Sequence, residues 1–392
     1  MNKVFFYLAI IGMTTVSCNN VQSYHEDDKE GLRIFLRQPS SDEDCKINAT
    51  QVGMEINDTI NWQHNEQWVE KIEGLVWNNE LPKRLIAIEW PSGTLEGTLD
   101  ARLWRDLEEI ECSSNLFTAI NVNENKKLKK INCSNNQLSA LDLRSNTALE
   151  ELWCEGNQLS SLNIQSNTLL STISCINNQL TELDIHANTA LRYLYCEFNQ
   201  LTSLDVRYNT LLTSLYCYNN QLTELDVHEN MALASLYCHF NRLKKLDVRM
   251  NTALEYLYCN DNQLSKLDVC EENVLKILKV YNNNFSLSDL FALKEIIALY
   301  EEPMGLQILP PLKVKINDVI DFSNQNKFND TYTQFTITQN NNATSENDYN
   351  IYNGKITFYR LGNYTITMTN EAIAPSAYLP AKVIIEIEVE GL

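Results

Sequence analysis

A leucine returns every 21 residues, at Leu107, Leu128, Leu149, Leu170, Leu191, Leu212, Leu233, Leu254 and Leu275. Around each one the chain repeats the same phrase, written most fully as LRYLYCEFNQLTSLDVRYNTL from Leu191 to Leu211. A unit this short cannot hide its apolar face alone, so the period dictates a stack of coils sharing one continuous core. Each unit has two halves, Leu-x-x-Leu-x-Cys-x-x-Asn and Leu-x-x-Leu-Asp-Val-x-x-Asn. The alternation Leu194-Tyr195-Cys196 puts Leu and Cys on one side and Tyr on the other, as in a strand. Three residues after Cys196 comes Asn199, with equivalents Asn115, Asn136, Asn157, Asn178, Asn220, Asn241, Asn262 and Asn283. An inward amide at a turn can both donate and accept, serving backbone groups that leave a sheet there. The second half repeats the device with Leu204-Asp205-Val206 and Asn209, so each coil is expected to hold two short extended segments joined by asparagine-stapled turns.

These half-patterns, from Leu107 to Phe285, resemble the bacterial leucine-rich repeat proteins of the 21-residue, nested-period class, internalin-like members among them. The expected fold is α/β to mostly β: a leucine-rich repeat solenoid of about nine coils with an N-terminal cap, followed by a small all-β sandwich. The resemblance implies recognition of a protein ligand, since internalin-like proteins contact host proteins through the concave strand face.

The flanks read differently from the repeat. Lys3, the apolar run from Val4 to Met13 and Thr15-Val16-Ser17-Cys18 resemble a lipoprotein signal over residues 1–18, with Cys18 as the lipid acceptor. Residues 19–30 are polar and acidic and read as a tether; an acidic stretch behind a lipidated Cys resembles the surface-export tag of Bacteroidetes-type lipoproteins. Residues 31–106 hold Trp62, Trp68, Trp77, Trp90 and Trp104, large aromatics with which a small cap can close the solenoid end. Within that cap, helices are expected over 31–37 and 67–75, and the first strand of the stack over 84–90. Residues 286–302 carry an apolar stripe that reads as a capping helix, and Pro303, Pro310 and Pro311 mark a boundary. Beyond them, 312–392 alternates polar and apolar residues in five runs, starting near Lys313, Gln334, Lys355, Asn363 and Val383, and resembles an immunoglobulin-like module.

With 51 acidic residues against 31 basic, the formal charge of −20 repels nucleic-acid phosphates, which argues against that partner. His25, His64, His186, His228 and His239 are the only histidines, and none stands in a catalytic pattern; phosphate-binding glycine loops are also missing, so no enzyme and no cofactor are expected. Cys112, Cys133, Cys154, Cys175, Cys196, Cys217, Cys238 and Cys259 form one column. Side chains projecting in parallel into a core suit free thiols better than disulfides, and a straight file does not converge on a metal.

Two outward files are candidates for function. The first holds Trp153, Tyr195, Tyr216, Tyr237 and Tyr258, with Tyr193, Tyr218, Tyr256, Phe198, Phe240 and Tyr281 beside it. Contiguous exposed aromatics mark contact surfaces, although a cross-strand packing role would use the same residues. The second is acidic: Asp142, Asp184, Asp205, Asp226, Asp247 and Asp268, with Asn163 in register. Its mutual repulsion calls either for calcium or for hydrogen bonds from backbone and from threonines such as Thr189 and Thr210. The expected function is that of an exported, lipid-anchored protein of the outer membrane or cell surface, touching the membrane only through its lipid. It would bind an extracellular or host protein by the aromatic file, with glycan capture or a ligand-free spacer as alternatives.

Overall fold

The computed structural model describes residues 24–39, 47–54, 66, 68–270, 274–297, 304–373 and 381–391. The signal-type segment with Cys18 lies outside them, as do Cys45, Trp62 and Pro303. Among the described residues no helix is long and apolar enough to cross a membrane.

The chain is a leucine-rich repeat solenoid. Its spine is an eleven-stranded sheet in which Leu75–Trp77 pairs antiparallel with Leu85–Glu89 and every later strand adds in parallel. Each repeat contributes three residues, such as Tyr193–Tyr195, Ser214–Tyr216 and Ser235–Tyr237, and the register keeps like on like: Leu194, Leu215 and Leu236 align, as do Tyr195, Tyr216 and Tyr237. In the repeats the middle leucine or isoleucine of each strand is buried, and so is the cysteine, or Val280 in the last coil, two positions on. All eight column cysteines are free thiols.

The asparagines staple the coils as expected. The Asn199 amide donates to the carbonyls of Cys175, Cys196 and Glu197 at 2.9, 3.2 and 3.3 Å, while its Oδ1 accepts from Leu180 N–H at 3.0 Å. Every hydrogen-bonding group of the side chain is used, which is why it can be buried. The second asparagine differs. Asn209 Nδ2 donates to Ile185 and Asn188 carbonyls, but its buried Oδ1 has no partner. The second half-coil also departs from expectation: among the described residues a ladder of extended segments forms only at Glu96–Asp100 with Leu116–Asn121, and at Lys245–Asp247 with Lys266–Asp268. Elsewhere a single backbone bond per coil suffices, such as Gln200 N–H to Leu180 O at 2.9 Å, because the asparagine amide takes the remaining carbonyls.

Three readings of the flanks are corrected. The expected tether over 19–30 is ordered structure from Tyr24 onward, since the first helix spans Glu26–Leu36 instead of starting at Gly31. Asp28 holds it there: fully buried, it accepts from Arg84 Nε and Nη2 at 2.9 and 3.0 Å and from Leu85 N–H at 2.9 Å. An acidic run that reads as solvated thus supplies the helix's negative first turn and one buried ion pair. The helix expected over 67–75 is a 3-10 turn at Val69–Lys71 followed by the edge strand Leu75–Trp77, because Gly74 (φ +76°) breaks the run and a Cβ there would strike the Glu89 carbonyl. The supposed boundary at Pro310-Pro311 lies inside the strand Leu306–Lys315, whose register against Lys382–Glu390 shifts between Leu309 and Leu312. That strand is at a sheet edge, where proline's missing N–H is tolerated.

The same strand joins the two parts of the molecule. Gln307 bridges Asn283 of the last coil, and Gln307 Nε2 donates to Val280 O at 3.2 Å and Met304 O at 2.9 Å. The helix expected as a cap spans Leu287–Ile297, with Leu287, Leu290 and Leu293 buried; it meets the C-terminal region, where Leu287 N–H donates to Gln325 Oε1 at 2.9 Å and Phe291 packs on Phe328 with ring centroids 4.9 Å apart, and residues 298–303 lie outside the described part. The C-terminal region has a five-stranded and a three-stranded sheet, the latter Val319–Asp321, Lys355–Phe358 and Tyr349–Tyr352. Their inner faces meet where Phe358 and Tyr364 pack with ring centroids 4.5 Å apart.

Candidate functional site

The outward surface is three files wide: each three-residue strand points its two ends out and its middle in, and the residue after each cysteine adds a third file. The central file holds the expected aromatics. Tyr216 and Tyr237 stack at 4.2 Å and 9°, Tyr237 and Tyr258 at 4.3 Å and 12°, and Tyr195 tilts against Tyr216 at 5.1 Å. Lys279 caps the last ring, with Nζ 5.0 Å from the Tyr258 centroid. Burial in the stack, reinforced by Tyr216 and Tyr258, pushes the Tyr237 phenol well above its usual range.

Trp153 belongs to the same file but is separated from Tyr195 by the coil that carries Ser174. Its ring nonetheless lies 6.3 Å from Tyr195 at 23°, so the two rings lean together over Ser174, which is fully buried. Tyr193 and Tyr256 are in register but are held apart by Ser214 and Ser235. Tyr193 is exposed and Tyr256 half-buried.

The third file follows the cysteine column and reads Glu155, Ile176, Glu197, Tyr218, His239, Asn260 and Tyr281. Tyr218 stacks on His239 at 4.3 Å and 10°, and His239 meets Tyr237 edge-on at 6.4 Å. Burial holds His239 below the ordinary imidazole range, and its Nδ1 has no hydrogen-bond partner. His239 and Glu197 were not legible as site residues. The one signal available was that the position after each cysteine also lies on the outward surface.

Next along the chain comes the turn residue, which takes a left-handed conformation in coil after coil. Asn135, Asn177, Asn219, Asp261 and Asn282 do so with φ of 51–53°, and Gly156 at 64°. Asparagine, aspartate and glycine are the residues that adopt it at least cost. Phe198 and Phe240 stand at the same position with φ of 55° and 50°, and they are 48% and 49% exposed. Phe198 packs edge-on to Tyr218 at 5.3 Å and Phe240 lies 5.5 Å from His239, so both extend the aromatic surface.

The acidic file lies on the other half of each coil, beside an open groove of about 570 Å³ lined by Asn163, Gln165, Asp184, His186, Asp205 and Tyr208. Three of its carboxylates are neutralised by an arginine two residues on, while Asp226 accepts His228 N–H at 3.1 Å and Asp268 accepts Lys266 Nζ, two residues before it, at 2.8 Å. Asp205 accepts Arg207 N–H at 3.1 Å and the guanidinium at 2.9 and 2.7 Å; Asp142 with Arg144 and Asp247 with Arg249 repeat the fork. The guanidinium bonds hold Asp142, Asp205 and Asp247 down at about 2. Asp184 takes His186 Nδ1 at 2.5 Å and Gln165 Nε2 at 2.7 Å. Among the described hydrogen bonds the threonine hydroxyls expected to serve this file are not its partners; Asp-x-Arg at 142, 205 and 247 and Asp-x-His at 184 and 226 are, a motif visible in five of the repeats. No group of three or more metal-ligating side chains converges among the described residues.

No protein-family model matches the chain, and no curated protein does. Among solved structures it is similar to the functional domain of InlJ from Listeria monocytogenes, described as including a cysteine ladder, at 21% identity and TM-score 0.44 over 78% of this chain and 91% of that one. It is similar to the internalin InlF from Listeria monocytogenes at 17% identity and TM-score 0.49, covering 72% and 83%. A third is YopM, a leucine-rich effector protein from Yersinia pestis, at 27% identity and TM-score 0.45; the overlap is 51% of this chain and 55% of YopM, so this chain spans about half the YopM length.

Proposed function

We propose that the chain is an exported binding protein, held at the outer membrane or cell surface by a lipid on Cys18, that docks a protein ligand on the outward strand face. Trp153, Tyr195, Tyr216, Tyr237 and Tyr258 are its anchors, with Tyr193, Tyr218 and Tyr256 at their flanks. The observation that carries this reading is the pair Phe198 and Phe240. A bulky residue in the left-handed region costs roughly 1 kcal/mol, and the neighbouring coils avoid that cost with asparagine or aspartate. Two exposed phenylalanines at those positions place apolar surface where folding does not need it, beside a continuous aromatic file. Such a patch buries well against another protein.

A glycan ligand is the second reading, and the ring geometry disfavours it. Sugar recognition uses the open faces of aromatic rings, whereas the faces of Tyr216, Tyr237 and Tyr258 are covered by one another and what they present is edges and hydroxyls. Phenol edges and hydroxyls suit peptide groups and side chains.

The test is a double variant, Phe198→Asn with Phe240→Asn. It is expected to unfold at higher urea than the parent, gaining about 0.5 kcal/mol or more per site, while its retention of extracellular-matrix or host-surface protein falls at least about tenfold. A variant that is less stable with binding intact would show that the two rings serve the fold, and the docking reading would lose its support.

A further inference from the structure

The strand face changes character at the coil of Ser174. On the tyrosine side the aromatic file ends in a cation of the protein's own, Lys279 over Tyr258 at 5.0 Å. On the Trp153 side there are carboxylates instead. Glu155 Oε2 accepts from Ser174 Oγ beneath the leaning rings of Trp153 and Tyr195. One coil further, Glu197 is only 5% exposed, and its Oε2 is buried with no hydrogen-bond partner. Burial strips this carboxylate of hydration, and its own backbone N–H and the Tyr218 hydroxyl supply hydrogen bonds but no positive charge, which leaves the charge to come from outside the chain.

We infer that Glu197 and Glu155, between the rings of Trp153, Tyr195 and Tyr218, form a seat for one cationic group, the guanidinium or ammonium of an arginine or lysine on the docked protein. The inference rests on the docking role proposed above and names the chemistry of the residue docked. Aromatic rings with a buried carboxylate between them favour an organic cation over a hydrated metal ion, since ring quadrupoles and a single unpaired oxygen give it both faces and a charge. The overall charge of −20 draws such a partner in.

The groups facing Glu197 set how it behaves empty. Glu155 lies on one side, Tyr218 on the next coil, Tyr195 on its own coil, and the thiols of Cys175, Cys196 and Cys217 below. None is cationic. Burial, with the nearby Glu155 charge adding to it, pushes the carboxyl up to about 7. A cation docked against a carboxyl raised in this way would favour its ionised form.

The experiment follows the glutamate side-chain carboxyl resonances of protein labelled with carbon-13 at glutamate, the Glu197 signal being identified by its loss in Glu197→Gln. The probes are N-acetyl-arginine amide and N-acetyl-lysine amide, with the neutral N-acetyl-citrulline amide as control. At millimolar concentration one of the cationic probes should lower the Glu197 midpoint by about one pH unit, a tenfold preference for the ionised form, and citrulline amide should not. Glu155→Gln should at least halve the effect. An unmoved midpoint with both cations, or an equal response to citrulline amide, overturns the seat. The docking proposal is judged separately: a protein ligand that needs the tyrosines but is indifferent to Glu197→Gln would remove the seat and leave the docking face, and a cationic probe that shifts Glu197 while a screen of extracellular proteins yields no ligand would leave the seat and remove the docking face.

Discussion

At Glu197 the neutral carboxyl is the form the fold prefers. Its pKa rises from 4.5 to about 7 on folding, so the native state holds a proton the unfolded chain has lost. The stabilisation is complete below about pH 4.5 and disappears as the pH climbs through 7. Glu197→Gln keeps the shape without the charge, and is expected to raise stability at pH 8 by about 2 kcal/mol while changing it little at pH 4, measured by urea unfolding at both values. A gain of equal size at both would assign it to packing instead. The aromatic residues of this face could be read off the sequence because they recur at one position of the repeat. Glu155 and Glu197 could not, since Glu155 is half-buried and Glu197 buried through packing between neighbouring coils, an event that no single column announces.

Within one coil, the two asparagines differ in a way that sequence hides. Asn199 has all its polar groups engaged, whereas the Asn209 carbonyl is an orphan. Asn199→Ala is therefore expected to cost about 3 kcal/mol, by stranding Leu180 N–H and three carbonyls, and Asn209→Ala distinctly less; chemical denaturation of the pair orders them. The cysteine column makes a related prediction. Burial pushes Cys133, Cys175 and Cys238 up to about 12, so the native column should resist iodoacetamide at pH 8, and unfolding should release all eight thiols. A mass two hydrogens lighter per pair would contradict it. Elements defined by periodicity were legible for a physical reason: the stack repeats one environment, so one good reading serves every coil. Strands near Gln334, Lys355, Asn363 and Val383 were found by alternation, whereas Val319–Asp321 is too short to show a period and Tyr349–Tyr352 buries none of its residues fully. Proline misled at 310–311, because the tolerance of an edge strand depends on its neighbours.

Across the whole molecule, stability passes from coil to coil and the ends must be closed. Asp28 does this at one end, where its loss would leave Arg84 largely buried, with Asp106 at 3.3 Å as its remaining ion-pair partner among the described residues. Asp28→Ala should cost about 3 kcal/mol and loosen the first coils ahead of the rest, seen as faster hydrogen exchange confined to residues 85–111. Gln307 closes the other end, so the solenoid and the C-terminal sheets are expected to hold their angle instead of swinging on a linker. The measurement that tests the central claim most directly is a binding screen of the protein lacking residues 1–18 against arrayed extracellular-matrix proteins and glycans, beside Tyr195→Ala, Tyr216→Ala, Tyr237→Ala combined, with circular dichroism confirming that the variant is folded. A protein ligand retained by the parent and lost by the folded variant is the predicted result; a ligand held equally by both, or a glycan lost in its place, would contradict it.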